Sequence, residues 1–240
     1  MKHQYFGDIS DYKKYGVLRA VTNNGKLKLL VCWMLTPSDL RTDGNNNDYL
    51  QKANEWRHHE PDIFDFLYDS VVVKKTKDLG LVEKHNIVPG TAYFNEILLD
   101  NLSNRETYFQ KLEYVAKDYD LIFFDPDNGI ATSSMIKGGK SSSKYIFWDE
   151  IEKFWTRGHS LLIYQHFPRV NRMEYISRKV GEINDRLSNN ETYTIRTTHM
   201  VYFLIPQEGH SLHFKRLKEK IEGKWSEGRI SVERFVCERT

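Results

Sequence analysis

The segment Asp120-Leu-Ile-Phe-Phe-Asp-Pro-Asp-Asn-Gly-Ile130 constrains this chain more than any other. Leu121 to Phe124 is continuously apolar and too short for a helix, the pattern of a strand buried on both faces. Strands of that kind belong to parallel sheets covered by helices, where ligands bind just beyond the carboxyl ends of the strands. This strand stops at two carboxylates, Asp125 and Asp127, with Pro126 locked between them and Asn128 and Gly129 behind. Asp, Pro, Asn and Gly are also ordinary turn residues. Two carboxylates one residue apart, directly after a buried strand, make the turn a place where chemistry is expected.

The rest of the chain reads as helices and strands in alternation. Residues 5–22 suit a helix capped by Asp8 or Ser10, with Asp8, Asp11, Lys13 and Lys14 on its polar side. Lys28 to Thr36 is a buried strand feeding a long polar loop that contains Asp43 and Gly44. Tyr49 to Phe66 has a helical pattern interrupted at Pro61, Ser70 to Lys74 reads as a strand or helix end, and Asn86 to Thr91 as a short strand followed by a turn. Glu106 to Ala116 repeats apolar residues every three to four positions and leads into the central strand. Helix, buried strand, then loop is α/β syntax. Beyond Asp125 comes the glycine-, serine- and lysine-rich stretch Lys137 to Lys144, where Lys140 and Lys144 are placed to meet phosphate. Lys144 to Phe154 suits a helix carrying Glu150. Ser160 to Gln165 is the next buried strand, and it ends in Gln165, His166, Pro168 and Arg169. If both strands run in parallel, their polar ends converge on one crevice. A helix from Met173 to Leu187, a hairpin of Thr192–Arg196 and Met200–Ile205, a basic helix from Ser211 to Ile221 and a last strand from Ile230 to Val236 complete the pattern.

With 240 residues, 28% charged and 40% hydrophobic, the chain reads as one α/β domain spanning 1–240 with a sizeable core. A net charge of +2 means that any nucleic-acid partner must be held by a local basic patch. The two cysteines, Cys32 and Cys237, argue against a disulfide framework or structural zinc. No window approaches the roughly 18 apolar residues of a membrane span, and the N-terminus lacks a signal-peptide stretch, so a cytoplasmic location without a membrane partner is expected.

Sequential βα units closing on a hairpin resemble the Rossmann-like methyltransferases, and Asp125-Pro126 stands where their amino-methylating members carry an Asp or Asn followed by Pro. Asp127-Asn128 replaces the usual Pro-aromatic pair. Phe6, Gly7-Asp8, Asp11 and Lys14, with Pro89-Gly90-Thr91, resemble segments of the ribosomal RNA adenine-N6 methyltransferases over about residues 5 to 205. The Tyr-Phe-Gly-Asp, Asp-Pro-Asp-Asn-Gly and Tyr-Gln-His-Phe-Pro-Arg segments also resemble an uncharacterised bacterial family along nearly the whole chain. These resemblances imply a class I methyltransferase-like fold: a mostly parallel sheet, helices on both faces and a C-terminal antiparallel hairpin. They imply methylation of a base amino group in nucleic acid, with S-adenosylmethionine as cofactor. Asp125 would accept from the target amine, Asp127, Asn128, Gln165 and His166 would complete the catalytic group, and Asp8, Asp11, Lys14, Asp43 and Gly44 would face the cofactor. Lys140, Lys144, Arg169 and Arg172 would meet the nucleic acid. The chain departs from the pattern after Leu35, where a single glycine, Gly44, stands in place of a glycine-rich cofactor turn.

Two other readings fit the same residues. Asp125 and Asp127 with Glu150 supply hard oxygen ligands for Mg²⁺ in a nuclease or phosphohydrolase. A degenerate methyltransferase fold that binds RNA or protein without catalysis would use Arg169, Arg172 and other surface cations.

Overall fold

The computed structural model describes residues 1–37, 46–225 and 229–237. Helix α1 (Ile9–Thr22) leads into strand β1 (Leu29–Cys32); α2 (Ala53–Trp56), α3 (Pro61–Tyr68) and α4 (Gly80–Lys84) separate it from β2 (Thr91–Phe94). Next come α5 (Leu102–Ala116), β3 (Leu121–Phe124) and the two-residue strands β4 (Gly129–Ile130) and β5 (Tyr145–Ile146), which pair with each other outside the main sheet. Helix α6 (Trp148–Thr156), strand β6 (Ser160–His166), helix α7 (Arg172–Leu187) and the hairpin of β7 (Glu191–Arg196) and β8 (Met200–Ile205) follow. The described chain ends with α8 (Ser211–Phe214), α9 (Leu217–Lys224) and β9 (Ser231–Val236).

Seven strands form a mixed sheet in the order β2-β1-β3-β6-β8-β7-β9. The first four are parallel, β8 is antiparallel to both β6 and β7, and β9 is antiparallel to β7. Five strands therefore run one way, with β8 and β9 reversed. Alternating side chains of β1 and β3 split the core into two layers, as the two-residue period of a strand requires. Leu29, Val31, Leu121 and Phe123 pack with α1, α3 and α9 on one face. Leu30, Cys32, Ile122 and Phe124 pack with α5, α6 and α7 on the other.

Local sequence explains where several helices begin. Asp8 caps α1 by accepting from the Ser10 amide at 2.8 Å, and Asn101 caps α5 by accepting from Asn104 at the same distance. Asn171 caps α7 by accepting from Met173 and Glu174.

Several elements differ from the sequence expectation. Of the two readings of Ser70 to Lys74 the helix end is the one found, a π-helical turn Asp69–Val73 that prolongs α3 with Lys74 as its C-cap, whereas the strand expected near Asn86 begins instead at Thr91. Asn86 and Gly90 both take positive φ and make a turn. The helix expected over Tyr49 to Phe66 forms in pieces around Pro61, and the Ser211 to Ile221 helix is two short ones. Cys32 is the expected core thiol: it is fully buried beside the Tyr108 hydroxyl, and burial pushes it up to about 12.

Strand β1 has β2 on one side and β3 on the other. The chain leaves β1 in one direction and later returns to continue in the opposite one, so a crevice opens beyond the carboxyl ends of β1 and β3.

Candidate functional site

The crevice holds a cavity of about 460 Å³, within the range of small-molecule sites. The turn after β3 supplies Asp125, Pro126, Asp127 and Asn128; α1 and its N-cap supply Asp8, Asp11 and Lys14; β6 supplies Tyr164 and His166.

Helical spacing places Asp11 and Lys14 on one face of α1, turned inward. Both are almost completely buried, as is Asp125. Lys14 Nζ lies 2.7 Å from Asp125 Oδ2 and 3.2 Å from Asp11 Oδ1, which joins helix and strand ends through one cation. The ammonium also sits 5.5 Å from the Trp33 ring and 6.0 Å from the Tyr164 ring. Burial disfavours the charge on Lys14, but Asp125 and then Asp11 outweigh it and hold the amine above its ordinary range. Asp11 is raised to about 6, chiefly by burial; Lys14 opposes the rise, and Asp8 and Asp125 add to it. Its second oxygen, Oδ2, has no hydrogen-bond partner among the described residues.

The turn after β3 is fixed from several sides. The Met1 amino group lies 2.7 Å from Asp127 Oδ1, and the Thr36 hydroxyl donates to Asp127 Oδ2 at 3.3 Å. Asn128 donates its amide to the Lys144 carbonyl at 2.9 Å, and its own carbonyl accepts from the His166 amide and the Gln165 side chain. Gln165 also accepts from the Ile130 amide at 2.9 Å and donates to the His166 carbonyl. Its side-chain amide is thus spent on backbone behind the turn. At the end of β1, Met34 adopts φ 46°, uncommon for any residue but glycine and concentrated at functional sites.

Gly129 takes φ 113°, and a Cβ there would overlap the Gln165 amide. Because three hydrogen bonds hold Gln165, it cannot swing aside cheaply. Gly129→Ala is expected to cost about 2–4 kcal/mol through backbone strain and overpacking together. A urea midpoint within experimental error of wild type would show that the turn is not clamped in this way.

His166 stands at the rim, where partial burial and then the nearby His199 lower it below the ordinary imidazole value. It is uncharged at neutral pH.

Of the residues singled out from sequence, Asp8, Asp11, Lys14, Asp125, Asp127, Asn128, Lys144 and His166 line the cavity together. Gln165 lies behind it. Arg169 and Arg172 line an adjoining groove. Lys140 is exposed and lines neither, and Asp43 and Gly44 fall outside the described residues. Glu150 is not beside the two aspartates. It is buried in a two-point ion pair with Arg105, Nε to Oε1 at 2.6 Å and Nη2 to Oε2 at 2.7 Å, and it accepts from the Phe147 amide at the start of α6. Among the described residues no three His, Cys, Asp or Glu side chains gather as a metal-binding group. The donor set expected for Mg²⁺ therefore does not form.

Tyr5, Asn46, Tyr164, His199 and Met200 also line the cavity and were not anticipated. Tyr164 had a usable signal, since it alternates with Gln165 on β6 and must face the opposite side of the sheet. His199 had none, because only the reversal of β8 beside β6 brings the hairpin tip to this end.

These features define a mixed α/β protein with a cavity lined by paired carboxylates and amines at the switch point of its parallel strands. No protein-family model and no curated protein matches the chain. Among solved structures, it is similar to a crystal structure of a Legionella pneumophila protein of the DUF519 family model, with 10% identity over 97% of this chain and 98% of that one and a TM-score of 0.44. No helix among the described residues is long and apolar enough to cross a membrane.

Proposed function

We propose that the protein is an S-adenosylmethionine-dependent methyltransferase acting on a base amino group of nucleic acid, on a Rossmann-like fold. The observation that carries the reading is the position of Asp125-Pro126 at the carboxyl end of β3, opening into a cavity at the strand switch point. The parallel strands closed by an antiparallel hairpin agree with the architecture that the sequence resemblance leads one to expect.

The lining suits the cofactor's charges. Four carboxylates, Asp8, Asp11, Asp125 and Asp127, face the cavity with Lys14, Lys144 and the Met1 amino group. Such a lining attracts a sulfonium and an amino group, and the lysines suit a carboxylate. Asp11 Oδ2, a buried acceptor without a partner among the described residues, is a ready seat for an amine. When bound, the cofactor would supply the electrophilic methyl group. Lys14 holds one oxygen of Asp125, so the other is left to accept from the target amine and turn its lone pair toward the methyl group. Asn128 sits beside it, its backbone locked to Lys144 and Gln165. His166 stays neutral at the rim and adds no positive charge to oppose the cofactor.

The test is calorimetric titration of purified protein with S-adenosylmethionine, with and without Mg²⁺, followed by transfer of labelled methyl to RNA. Micromolar, metal-independent binding is expected. Asp125→Asn, which keeps shape and removes charge, should lower transfer by about 10²–10³-fold with cofactor affinity little changed. Absence of cofactor binding would overturn the proposal; RNA bound without cofactor or Mg²⁺ would then favour a non-catalytic binding module.

A further inference from the structure

We propose that the groove beside the cavity is a phosphodiester seat and that the substrate is an unpaired nucleotide within a single strand, its base in the cavity and its flanking phosphate on Arg169 and Arg172. The place of the base rests on the methyltransferase reading; the seat rests on the groove.

After β6 the chain turns through Phe167, Pro168, Arg169 and Val170 to the α7 cap, and this turn with His199 encloses about 490 Å³. Among the described residues no carboxylate lines the groove. Arg169 and Arg172 are exposed, and neither forms an ion pair among the described residues. Other surface cations do find carboxylates, such as Arg57 with Asp65 and Lys111 with Glu96. The Arg172 guanidinium lies 5.6 Å from the centre of the nearly buried Phe167 ring, which steadies it. Arg172 also opens α7, a helix of 16 residues whose positive end favours an anion. Glu174 is the one acidic residue of that first turn, and it does not line the groove.

The two hollows share His166 and His199 as a common wall. On one side four carboxylates stand with Lys14, Lys144 and the Met1 amino group, and on the other stand two arginines with no carboxylate among the described residues, so a ligand spanning the wall must be polar in the same sense. A phosphate finds unpaired cations in the groove, whereas a base presenting an amino group finds carboxylate acceptors in the cavity. A nucleotide has both ends. Its base can enter only when unpaired and unstacked. Val170 and Met173, 57% and 42% exposed, offer apolar contact for a sugar or a neighbouring base beside the arginines.

The experiment is fluorescence anisotropy with a labelled mixed-sequence 12-nucleotide RNA, presented as single strand and as duplex, across a salt series. The wild type should bind the single strand at least tenfold more tightly than the duplex. Arg169→Ala/Arg172→Ala should weaken single-strand binding about tenfold and flatten the log–log salt slope by about 0.7, the loss of one neutralised phosphate. Lys52→Ala/Lys84→Ala, at exposed residues that line neither hollow, should change neither. Equal affinity for duplex would overturn the unpaired substrate, and an unchanged slope in the arginine variant would overturn the seat. S-adenosylmethionine titration of the same proteins separates the two ideas. Cofactor bound normally with the arginine effect absent removes the seat alone. Arginine-dependent strand binding without cofactor uptake leaves the seat standing and removes the methyltransferase reading.

Discussion

Lys14→Met is expected to lower stability by about 3–5 kcal/mol at pH 8, the range for removing one partner of a buried ion pair, and by clearly less at pH 5. Met keeps most of the side-chain volume, so the loss is electrostatic rather than a cavity. It strands two carboxylates, Asp11 and Asp125, that are almost completely buried. The pH dependence follows from Asp11. Its carboxyl is raised from an ordinary 3.8 to about 6 in the folded protein, so the folded state holds the proton more tightly than the unfolded one. Whatever stability this group supplies is complete below about pH 4 and is lost as pH rises through 6. Lys14 supplies both of the influences that pull Asp11 down. Removing it pushes the carboxyl higher still, so acidification neutralises Asp11 in the variant earlier and recovers part of the loss. Urea midpoints at pH 5, 6.5 and 8 measure this, and adding Asp11→Asn to the variant should recover stability at pH 8. An equal loss at all three pH values would mean that Lys14 acts through packing and not as the counter-ion of these carboxylates. Because one oxygen of Asp125 is held by Lys14, the same variant should also lose methyl transfer if the proposed chemistry is right.

What could be read from the sequence follows from how local each signal is. Leu121 to Phe124 announces a buried strand by itself, and its polar end was visible as a site because strand ends carry ligands in parallel sheets. Asp8, Asp11 and Lys14 join it through a resemblance; their spacing on α1 says only that Asp11 and Lys14 share a face, not that the face turns inward. Strand β2 was missed because it is the edge of the sheet and is only half-buried over most of its length, so Thr91 to Phe94 shows no continuous apolar run. On β6, Tyr164 is packed against the layer that contains Leu162, whereas Leu161 and Ile163 belong to the other. The two-residue period therefore sends Gln165 behind the turn while Tyr164 and His166 reach the cavity, a distinction the sequence contained and the reading of strand ends as uniformly functional passed over. Glu150 was drawn toward the aspartates by its chemistry alone. Its position three residues after Phe147, at the third place of α6, is a capping signal, and that local role is the one the structure shows.

Arg105→Met is the second large effect. Arg105 is 1% exposed and donates to Glu150 at two points and to the carbonyls of Ser142 and Tyr145 at 3.0 and 2.7 Å. Its removal leaves Glu150 buried without this cation, the Tyr145 carbonyl without its guanidinium donor and the Ser142 carbonyl with the Tyr145 amide alone, and a loss of about 3–5 kcal/mol is expected. Combining Arg105→Met with Glu150→Leu should regain much of it, since apolar replacement of both partners of a buried pair is often close to neutral. The consequence should reach the cavity. Arg105 fixes the backbone from Ser142 to Tyr145, Lys144 in that segment accepts from the Asn128 amide, and Tyr145 pairs with Gly129 through β5 and β4. Amide exchange at Gly129 and Ile130 should therefore quicken in Arg105→Met beyond what global destabilisation produces, and ligand affinity at the cavity should fall. Glu150→Gln distinguishes this role from metal binding. As the partner of Arg105, Glu150 should lose stability on substitution whether or not Mg²⁺ is added, and Mg²⁺ should leave the wild-type melting temperature unmoved. A wild-type melting temperature that rises with Mg²⁺ and ceases to do so in Glu150→Gln would return Glu150 to a cation site. That would require Glu150 to leave Arg105, and the density of bonds around that guanidinium argues against it.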